Sequence, residues 1–245
     1  MQQETIALLP LGAYEQHGFH LPFATDSIIA CGFIEEIKKL SLPLSIAYLP
    51  CQTIGYSPEH LWDKRSKSLP YQEAIEGWIA IGKNCLDKNI HKLVLFNAHG
   101  GNAPLMAIAA QEIRSRYNML CVTTAWTRFD LPEEIITAQE RQQDIHAGFL
   151  ETSLMLALAP DQVRLDKAEN FSNQQENFIQ KYHYLRAYGK HSFGWHMNDL
   201  NPKGACGCAQ KASAETGRKI LHIISQQLAQ LLLEIADYNI PWRGA

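Results

Sequence analysis

The chain has 245 residues, of which 46% are apolar and 19% are charged, and its 22 basic and 25 acidic residues give a net charge of −3. A charge this small does not attract phosphate backbones or anionic lipid, so neither nucleic acid nor a membrane is expected as a partner. No run of about 18 apolar residues occurs, and the six cysteines are too scattered for a disulfide scaffold, which predicts one soluble cytoplasmic domain over residues 1–245.

Short apolar runs alternate with amphipathic helices along the chain. Residues 6–11 form a non-alternating apolar run, which is typical of a strand buried on both faces. The same reasoning predicts strands over residues 45–49, 92–96 and 119–125, and helices over 27–40, 71–86, 103–117, 132–142, 149–158 and 214–238. Strands separated by helices predict an α/β protein with a mainly parallel sheet and helices on both faces.

Residues 159–207 are polar and show little periodicity. They predict an irregular segment that is mobile or covered by another subunit, and either a lid or an oligomer contact fits this composition. The charged fraction of 19% is below the ~25% typical of soluble domains. This low fraction favours a homo-oligomer, because subunit interfaces carry fewer charges than free surface.

Metal-competent side chains follow two of the predicted strands. Glu15, His17 and Asp26 lie in the loop after the first strand and at the start of the next helix, and His99 follows the strand at 92–96. Ligands of parallel sheets collect at the carboxyl ends of strands, so these side chains can converge. Carboxylate and imidazole ligands suit zinc or manganese. In an extended segment Glu15 and His17 project to one side, where each can bind one of two metals bridged by Asp26.

Each of these residues also has a structural interpretation. Asp26 or Ser27 is well placed to cap the helix that follows, and His17 and His20 can be ordinary loop histidines. The presence of several such side chains at strand ends favours the metal site over these separate explanations.

A glycine turn, NAHGGN at residues 97–102, joins the strand at 92–96 to the next helix. Such a turn can also cradle a phosphate, because its backbone N–H groups point outward. The segment lacks both the dinucleotide fingerprint and the P-loop lysine, which disfavours a nucleotide-binding oxidoreductase.

A third polar cluster, DIHAGFLETS at residues 144–153, introduces an apolar helix. Glu151 near the start of this helix is either a glutamate favoured by the helix dipole or a carboxylate that needs a cation. His146 can carry protons beside such a cation.

Cysteines and tryptophans in the loops give weaker signals. Cys206 and Cys208 form a C-x-C pair without a second pair, which predicts ordinary loop cysteines instead of a structural zinc site. Trp62, Trp126 and Trp195 lie in or beside polar loops. They can form either a substrate lid or a subunit interface.

Three motifs, LPLGAYEQHGFHLPFATD, NAHGGN and DIHAGFLETS, together resemble the creatininase (creatinine amidohydrolase) family. They stand in the family order, and YSPEH at residues 56–60 extends the resemblance to most of the chain. The resemblance implies a three-layer α/β/α fold, an assembly that is commonly hexameric, and two divalent metals around a water. Zinc and manganese are the expected metals, and iron is an alternative.

The resemblance also assigns roles to individual residues. Residue by residue, it implies that the metal ligands are Glu15, His17, Asp26 and His99, and that His146 is the proton shuttle. Creatininase has a metal-binding glutamate where this chain has Gly101, and we expect Glu151 to replace it. The expected substrate contacts are His60, Gly100, Gly101 and Trp126.

The expected reaction is hydrolysis of a cyclic or non-peptide C–N amide bond in a small-molecule substrate by metal-activated water. Glu15 and His99 would hold one metal, His17 and Glu151 the other, Asp26 would bridge them, and His146 would protonate the leaving nitrogen.

Two alternatives stay open at this point. Relatives that share the HGGN motif include formamide hydrolases acting on formylamino-pyrimidines and a peptide-cleaving maturation protein, so creatinine is not assured as substrate. Gly101 and the unusual LWDKRSKSL after His60 also fit a non-catalytic metal- or ligand-binding protein on the same fold.

Overall fold

A four-stranded parallel sheet lies at the centre of the protein. The structure is a computed structural model that describes residues 4–240. The strands are β1 (Ile6–Leu11), β2 (Ile46–Tyr48), β3 (Lys92–Asn97) and β4 (Leu120–Ala125), in the order β2-β1-β3-β4. All neighbours pair in parallel, as the alternation of strands and helices predicts.

Helices cover both faces of the sheet, and the predicted three-layer α/β/α fold is confirmed. The long helices are α1 (Thr25–Lys39), α2 (Tyr71–Leu86), α3 (Ala103–Tyr117), α5 (Phe149–Leu158) and α8 (Ala214–Asp237). Ile6 and Leu8 of β1 pack against α1, α5 and α8, whereas Ala7 and Leu9 pack against α2 and α3. Successive side chains of a strand point to opposite faces, which explains why β1 is apolar throughout.

Two stretches differ from the sequence-based prediction. The helix predicted over 132–142 is only the four-residue α4 (Ala138–Arg141), because Thr137 and Glu140 form a capping box that starts the helix there. The segment 159–207 is more regular than predicted. It contains α6 (Gln174–Lys181), α7 (Met197–Leu200) and the strand β5 (Asn170–Phe171), which pairs antiparallel with β6 (Gly207–Cys208).

Helix α1 begins earlier than predicted, and this changes the role of Asp26. Its N-terminal cap is Ala24, which makes no side-chain capping hydrogen bond. Asp26 therefore lies inside the first turn, and the predicted capping role of Asp26 or Ser27 is wrong. The Asp26 side chain is buried instead of facing the free N–H groups of the helix.

The loops after β1 and β3 lie side by side at one edge of the sheet. Leu11 pairs with Asn97 at the ends of the two strands, and the N–H of Ala98 donates to the Leu11 carbonyl. The two predicted metal-binding motifs start at these positions. Within residues 4–240, no helix combines the length and the hydropathy needed to cross a membrane.

We expect Gly217→Ala to destabilise the protein. Gly217 of α8 packs so closely on α5 that an added methyl group would overlap the Ser153 carbonyl, and such overpacking costs about 1–3 kcal/mol. Gly77→Ala on the exposed side of α2 is the matched control, because its new methyl group meets no atom. The control should gain about 0.5–1 kcal/mol from helix propensity. Urea unfolding measures the free energy of unfolding of both variants. Equal stabilisation of the two variants would contradict the close packing of α5 on α8.

Candidate active site

Glu15, Asp26 and His99 form a first group of potential metal ligands, here called the first donor group. It joins the loop after β1 to the loop after β3. Nδ1 of His99 lies 3.1 Å from Oε1 of Glu15 and 3.5 Å from Oδ2 of Asp26. The hydroxyl of Ser57 donates to the other oxygen of Glu15. Glu15, Asp26 and His99 are all buried, and one potential metal-binding atom of each lies within 4.8 Å of the others. This spacing can hold one metal ion.

His17 and Glu151 form a second donor group beside the first. Nε2 of His17 is 3.2 Å from Oδ1 of Asp26 and 3.9 Å from Oε2 of Glu151. Nδ1–H of His17 donates to the Glu15 carbonyl, which turns Nε2 towards the carboxylates. The N–H of Ala147 donates to Oε2 of Glu151 and fixes that side chain. Asp26 thus presents one oxygen to each group, which is the arrangement of a bridging carboxylate.

Two buried carboxylate oxygens of this site accept no hydrogen bond from the described residues. They are Oε1 of Glu15 and Oδ2 of Asp26. A buried carboxylate without donors is costly unless a cation compensates it. Oxygen and imidazole donors together match the ligand preferences of zinc and manganese. The residues present therefore fit a pair of divalent cations.

Burial and neighbouring charges shift the pKa values of the side chains in this site. Burial would lower the pKa of His17, but Asp26, Glu151 and Glu15 raise it to about 9. Burial raises the pKa of Glu151 to about 8, against the opposing effect of His17. The carboxylates thus draw positive charge onto neighbouring imidazoles. Metal binding displaces such protons, because imidazole must be neutral to ligate.

Two further histidines face Glu15 from the other side. Nε2–H of His146 donates to the Gln16 carbonyl, and its Nδ1 lies 3.6 Å from Oε1 of Glu15. Burial, with His17 and His60 nearby, lowers the pKa of His146 well below its usual value. Nε2 of His60 also lies 3.6 Å from Oε1 of Glu15. His146 therefore has an unprotonated Nδ1 at the site, as a proton acceptor or a ligand requires.

The second ring nitrogen of His99 explains the glycine at position 101. Nε2–H of His99 donates to the Tyr56 carbonyl at 2.9 Å. A side chain at position 101 would overlap both this carbonyl and the His99 ring. A glutamate at position 101 is therefore incompatible with the local packing. Glu151, from the start of α5, supplies a carboxylate at the second donor group instead.

An asparagine network holds the two motif loops together. The N–H of His99 donates to Oδ1 of Asn97. Nδ2 of Asn102 donates to the same oxygen and to the Gly12 carbonyl. The network fixes the His99 backbone against the end of β1. Sequence reasoning interpreted NAHGGN as a glycine turn, a possible phosphate cradle and the motif that carries His99, and missed this function of its two asparagines.

A cavity of about 600 Å³ opens above the donor groups. Of the predicted substrate contacts, His60, Gly100 and Gly101 line it. Trp126 does not: it is buried in the core, where its ring stacks on Phe33 of α1. The prediction that Trp126 contacts substrate is therefore wrong, because the ring packs against α1 in the core and does not line the cavity.

Sequence reasoning named Trp195 as a possible lid residue and residues 159–207 as a possible lid, but missed the other residues of the outer wall of this cavity. Residues 187–196, within the segment predicted as irregular, contribute Tyr188, Phe193 and Trp195. Tyr56 and Glu59 line the wall from the YSPEH segment. The pairing of a glutamate with His60 in that short segment was the available signal for Glu59.

Comparison with known proteins gives consistent matches. A model of the creatininase family, described as creatinine amidohydrolase, matches residues 1–232. A mycofactocin precursor peptide peptidase of Mycolicibacterium smegmatis is 28% identical over 176 residues, which are 66% of this chain and 61% of the peptidase. The chain thus spans about three fifths of the length of that curated relative. A creatinine amidohydrolase of Pseudomonas putida is 25% identical over 181 residues, covering 67% of this chain and 68% of the relative.

Solved structures share the fold. A creatininase structure with manganese superposes with a TM-score of 0.72 at 23% identity, covering 96% of this chain and 92% of the other. A creatininase variant of the Zn-Zn type gives a TM-score of 0.71 at 24% identity, with the same coverage. These matches confirm the resemblance that the three motifs indicate.

We expect His20→Asn to flatten the pH dependence of stability. Nε2–H of His20 donates to the Ala147 carbonyl, and Thr152 Oγ1 lies 3.0 Å from the same nitrogen. Burial lowers the pKa of His20 from 6.5 to about 4. The unfolded chain therefore binds more protons in this interval, and stability falls as pH drops from 6.5 towards 4.

Asparagine does not titrate in this interval, so the free energy of unfolding of the variant should fall less than that of the parent chain between pH 6.5 and 4. Urea unfolding at several pH values measures the slope. A variant that loses stability as steeply as the parent chain would contradict a buried neutral His20.

Proposed function

Because the chain belongs to the creatininase family, we propose that it is a metal-dependent amidohydrolase that cleaves a C–N amide bond with water activated by two divalent cations. The observation that carries the proposal is Asp26, whose two oxygens face the imidazoles of two separate donor groups. Oε1 of Glu15 lies beside it and accepts no hydrogen bond from the described residues, which supports the same conclusion.

The donor groups divide the ligands between two ions. Glu15 and His99 would hold one, His17 and Glu151 would hold the other, and Asp26 would offer one oxygen to each. When bound, two such cations lower the pKa of a water, polarise the amide carbonyl and stabilise negative charge on its oxygen. The buried histidines and carboxylates hold the donor atoms in place, which limits reorganisation during the reaction.

His146 delivers a proton to the leaving nitrogen. Its Nε2–H is fixed on the Gln16 carbonyl, so Nδ1 is the atom that accepts and returns protons. This nitrogen lies at the floor of the cavity, 3.6 Å from Oε1 of Glu15. The same histidine also belongs to a potential ligand group with His17 and Glu151. Metal content and turnover of a His146 variant separate the two roles.

The proposal specifies the class of bond that is cleaved and not a single substrate. The relatives are named as a peptide peptidase and as creatinine amidohydrolase, and hydrolysis of a C–N amide bond is the chemistry that those names share. A cyclic or non-peptide amide of a small molecule is our first candidate, with formamides as the second.

The decisive experiment strips the protein with chelator and reconstitutes it with zinc, manganese or iron. Creatinine, formylamino-pyrimidines, simple cyclic amides and short peptides are then assayed for the released amine and carboxylate. Metal-dependent hydrolysis of at least one of these classes supports the proposal. Full metal loading without hydrolysis of any of them would contradict it and favour the binding-protein alternative.

Substitutions at Asp26 and His146 should affect different steps. Asp26→Asn should abolish both metal loading and turnover, because it removes the bridging charge. His146→Ala should retain metal and lower kcat by about 10²–10⁴-fold, the usual contribution of a positioned acid or base. Metal content by plasma mass spectrometry, measured beside kcat, distinguishes them. His222→Ala, on the exposed side of α8, is the matched control and should keep both metal and turnover.

If His146→Ala also lost its metal, His146 would be a ligand and our proton-transfer assignment would be wrong.

Gly101→Ala should weaken metal binding, whereas Gly100→Ala should not. A methyl group at position 101 would overlap the Tyr56 carbonyl and the His99 ring, but one at position 100 meets no atom. Disturbing the partner of a metal-binding histidine usually costs about 10–100-fold in affinity. Zinc affinity by chelator competition measures both variants. Equal affinities would contradict the assignment of Tyr56 as the group that orients His99.

A further inference from the structure

The cavity above the donor groups has an unusual charge pattern. Among the described residues that line it, none is lysine or arginine. Glu15 belongs to the donor groups, which leaves Glu59 as the lining carboxylate with no assigned partner. Sites for phosphate or carboxylate groups use arginine, lysine or helix N-termini. The wall therefore offers an anionic substrate group no basic side chain, although the N-terminus of α3 also lines it.

Glu59 lies on the short 3₁₀ turn Pro58–His60, between the donor groups and the open part of the cavity. Its side chain is 15% exposed, and Oε1 lies 3.5 Å from Nε2 of His99. The His99 ring separates Glu59 from the donor atoms, because Nδ1 on the other side of the ring faces Glu15. Glu59 is thus adjacent to the proposed reaction centre without belonging to either donor group.

The His99 imidazole does not need Glu59 as a hydrogen-bond partner. Nε2–H of His99 already donates to the Tyr56 carbonyl at 2.9 Å. No lysine or arginine in residues 4–240 lies within 4 Å of Glu59, and its one ion-pair contact there is His99. The carboxylate is therefore available to a group that enters the cavity.

Aromatic side chains surround the same opening. Tyr56, Tyr188, Phe193 and Trp195 line the cavity together with Glu59. Nε1–H of Trp195 donates to the Ala187 carbonyl, which fixes this ring in the wall. Aromatic faces attract cations through the ring quadrupole, and a carboxylate gives the charge-assisted hydrogen bonds that nitrogen cations prefer. A carboxylate among aromatic walls without basic residues is a site for a nitrogen cation.

We propose that Glu59 is a specificity-determining residue that binds a protonated nitrogen group of the substrate, such as an amine or an amidine, next to the scissile amide. The inference rests on the proposed function for the position of that amide. The binding of the cation itself depends only on Glu59 and the aromatic wall.

The test compares benzamidine, which is flat and cationic at pH 7, with its neutral isostere benzamide. Calorimetry on the zinc-loaded protein measures binding of both compounds without any turnover. We expect benzamidine to bind about tenfold or more tightly, as a charged hydrogen-bonded pair gives. Glu59→Gln should remove this preference while leaving the zinc content unchanged, and Glu59→Asp should keep part of it. Glu73→Gln, on the exposed side of α2, removes the same charge from the surface and should change nothing.

Equal binding of the two compounds to the parent protein would overturn the proposal. A preference that survives in Glu59→Gln would also overturn it, since the cation would then bind elsewhere. Loss of zinc in Glu59→Gln would show that Glu59 instead positions His99. Failure of the proposed function alone would give a different result. The zinc-loaded protein would still prefer benzamidine to benzamide but would hydrolyse no amide.

Discussion

The burial of three carboxylates around His17 and His99 is the constraint on which this site depends. Glu15 and Asp26 are buried with one ligand atom of each within 4.8 Å of the other, and the Glu151 side chain is 13% exposed. Like charges at such distances repel strongly in a medium of low dielectric constant. The fold offers imidazoles as partners, yet leaves one oxygen of Glu15 and one of Asp26 without a donor. Positive charge from bound cations resolves this imbalance, and the same cations supply the chemistry of amide hydrolysis.

The parallel sheet brings the residues of the donor groups close together. Adjacent β1 and β3 end in register at Leu11 and Asn97, so the two loops that carry most of the donors start side by side. Hydrogen bonds from Asn102 then tie the end of β3 to the Gly12 carbonyl. Helix α5 adds Glu151 from a third direction, and its packing against α8 fixes the backbone that carries this residue. The donor geometry is therefore a consequence of the layered core.

Periodicity and motifs were sufficient to predict the sheet, the long helices and the convergence of Glu15 with His99. Strands buried on both faces and amphipathic helices have local signatures, and parallel strand ends converge by topology. Side-chain direction beyond a strand end has no such signature. Trp126 follows β4 at the expected edge but turns into the core, and Glu59 enters the cavity from a turn about 40 residues before His99 in the chain. The wall formed by residues 187–196 depends on long-range packing that no local pattern encodes.

The metal content of the protein, purified without chelator or affinity nickel, tests the central claim most directly. Plasma mass spectrometry should find about two zinc or manganese ions per chain, because the two oxygens of Asp26 face the imidazoles of two donor groups. One ion per chain would mean that Glu151 does not complete the second group. A protein that binds no divalent metal even after reconstitution would contradict the account, since the buried carboxylates would then be compensated by protons alone.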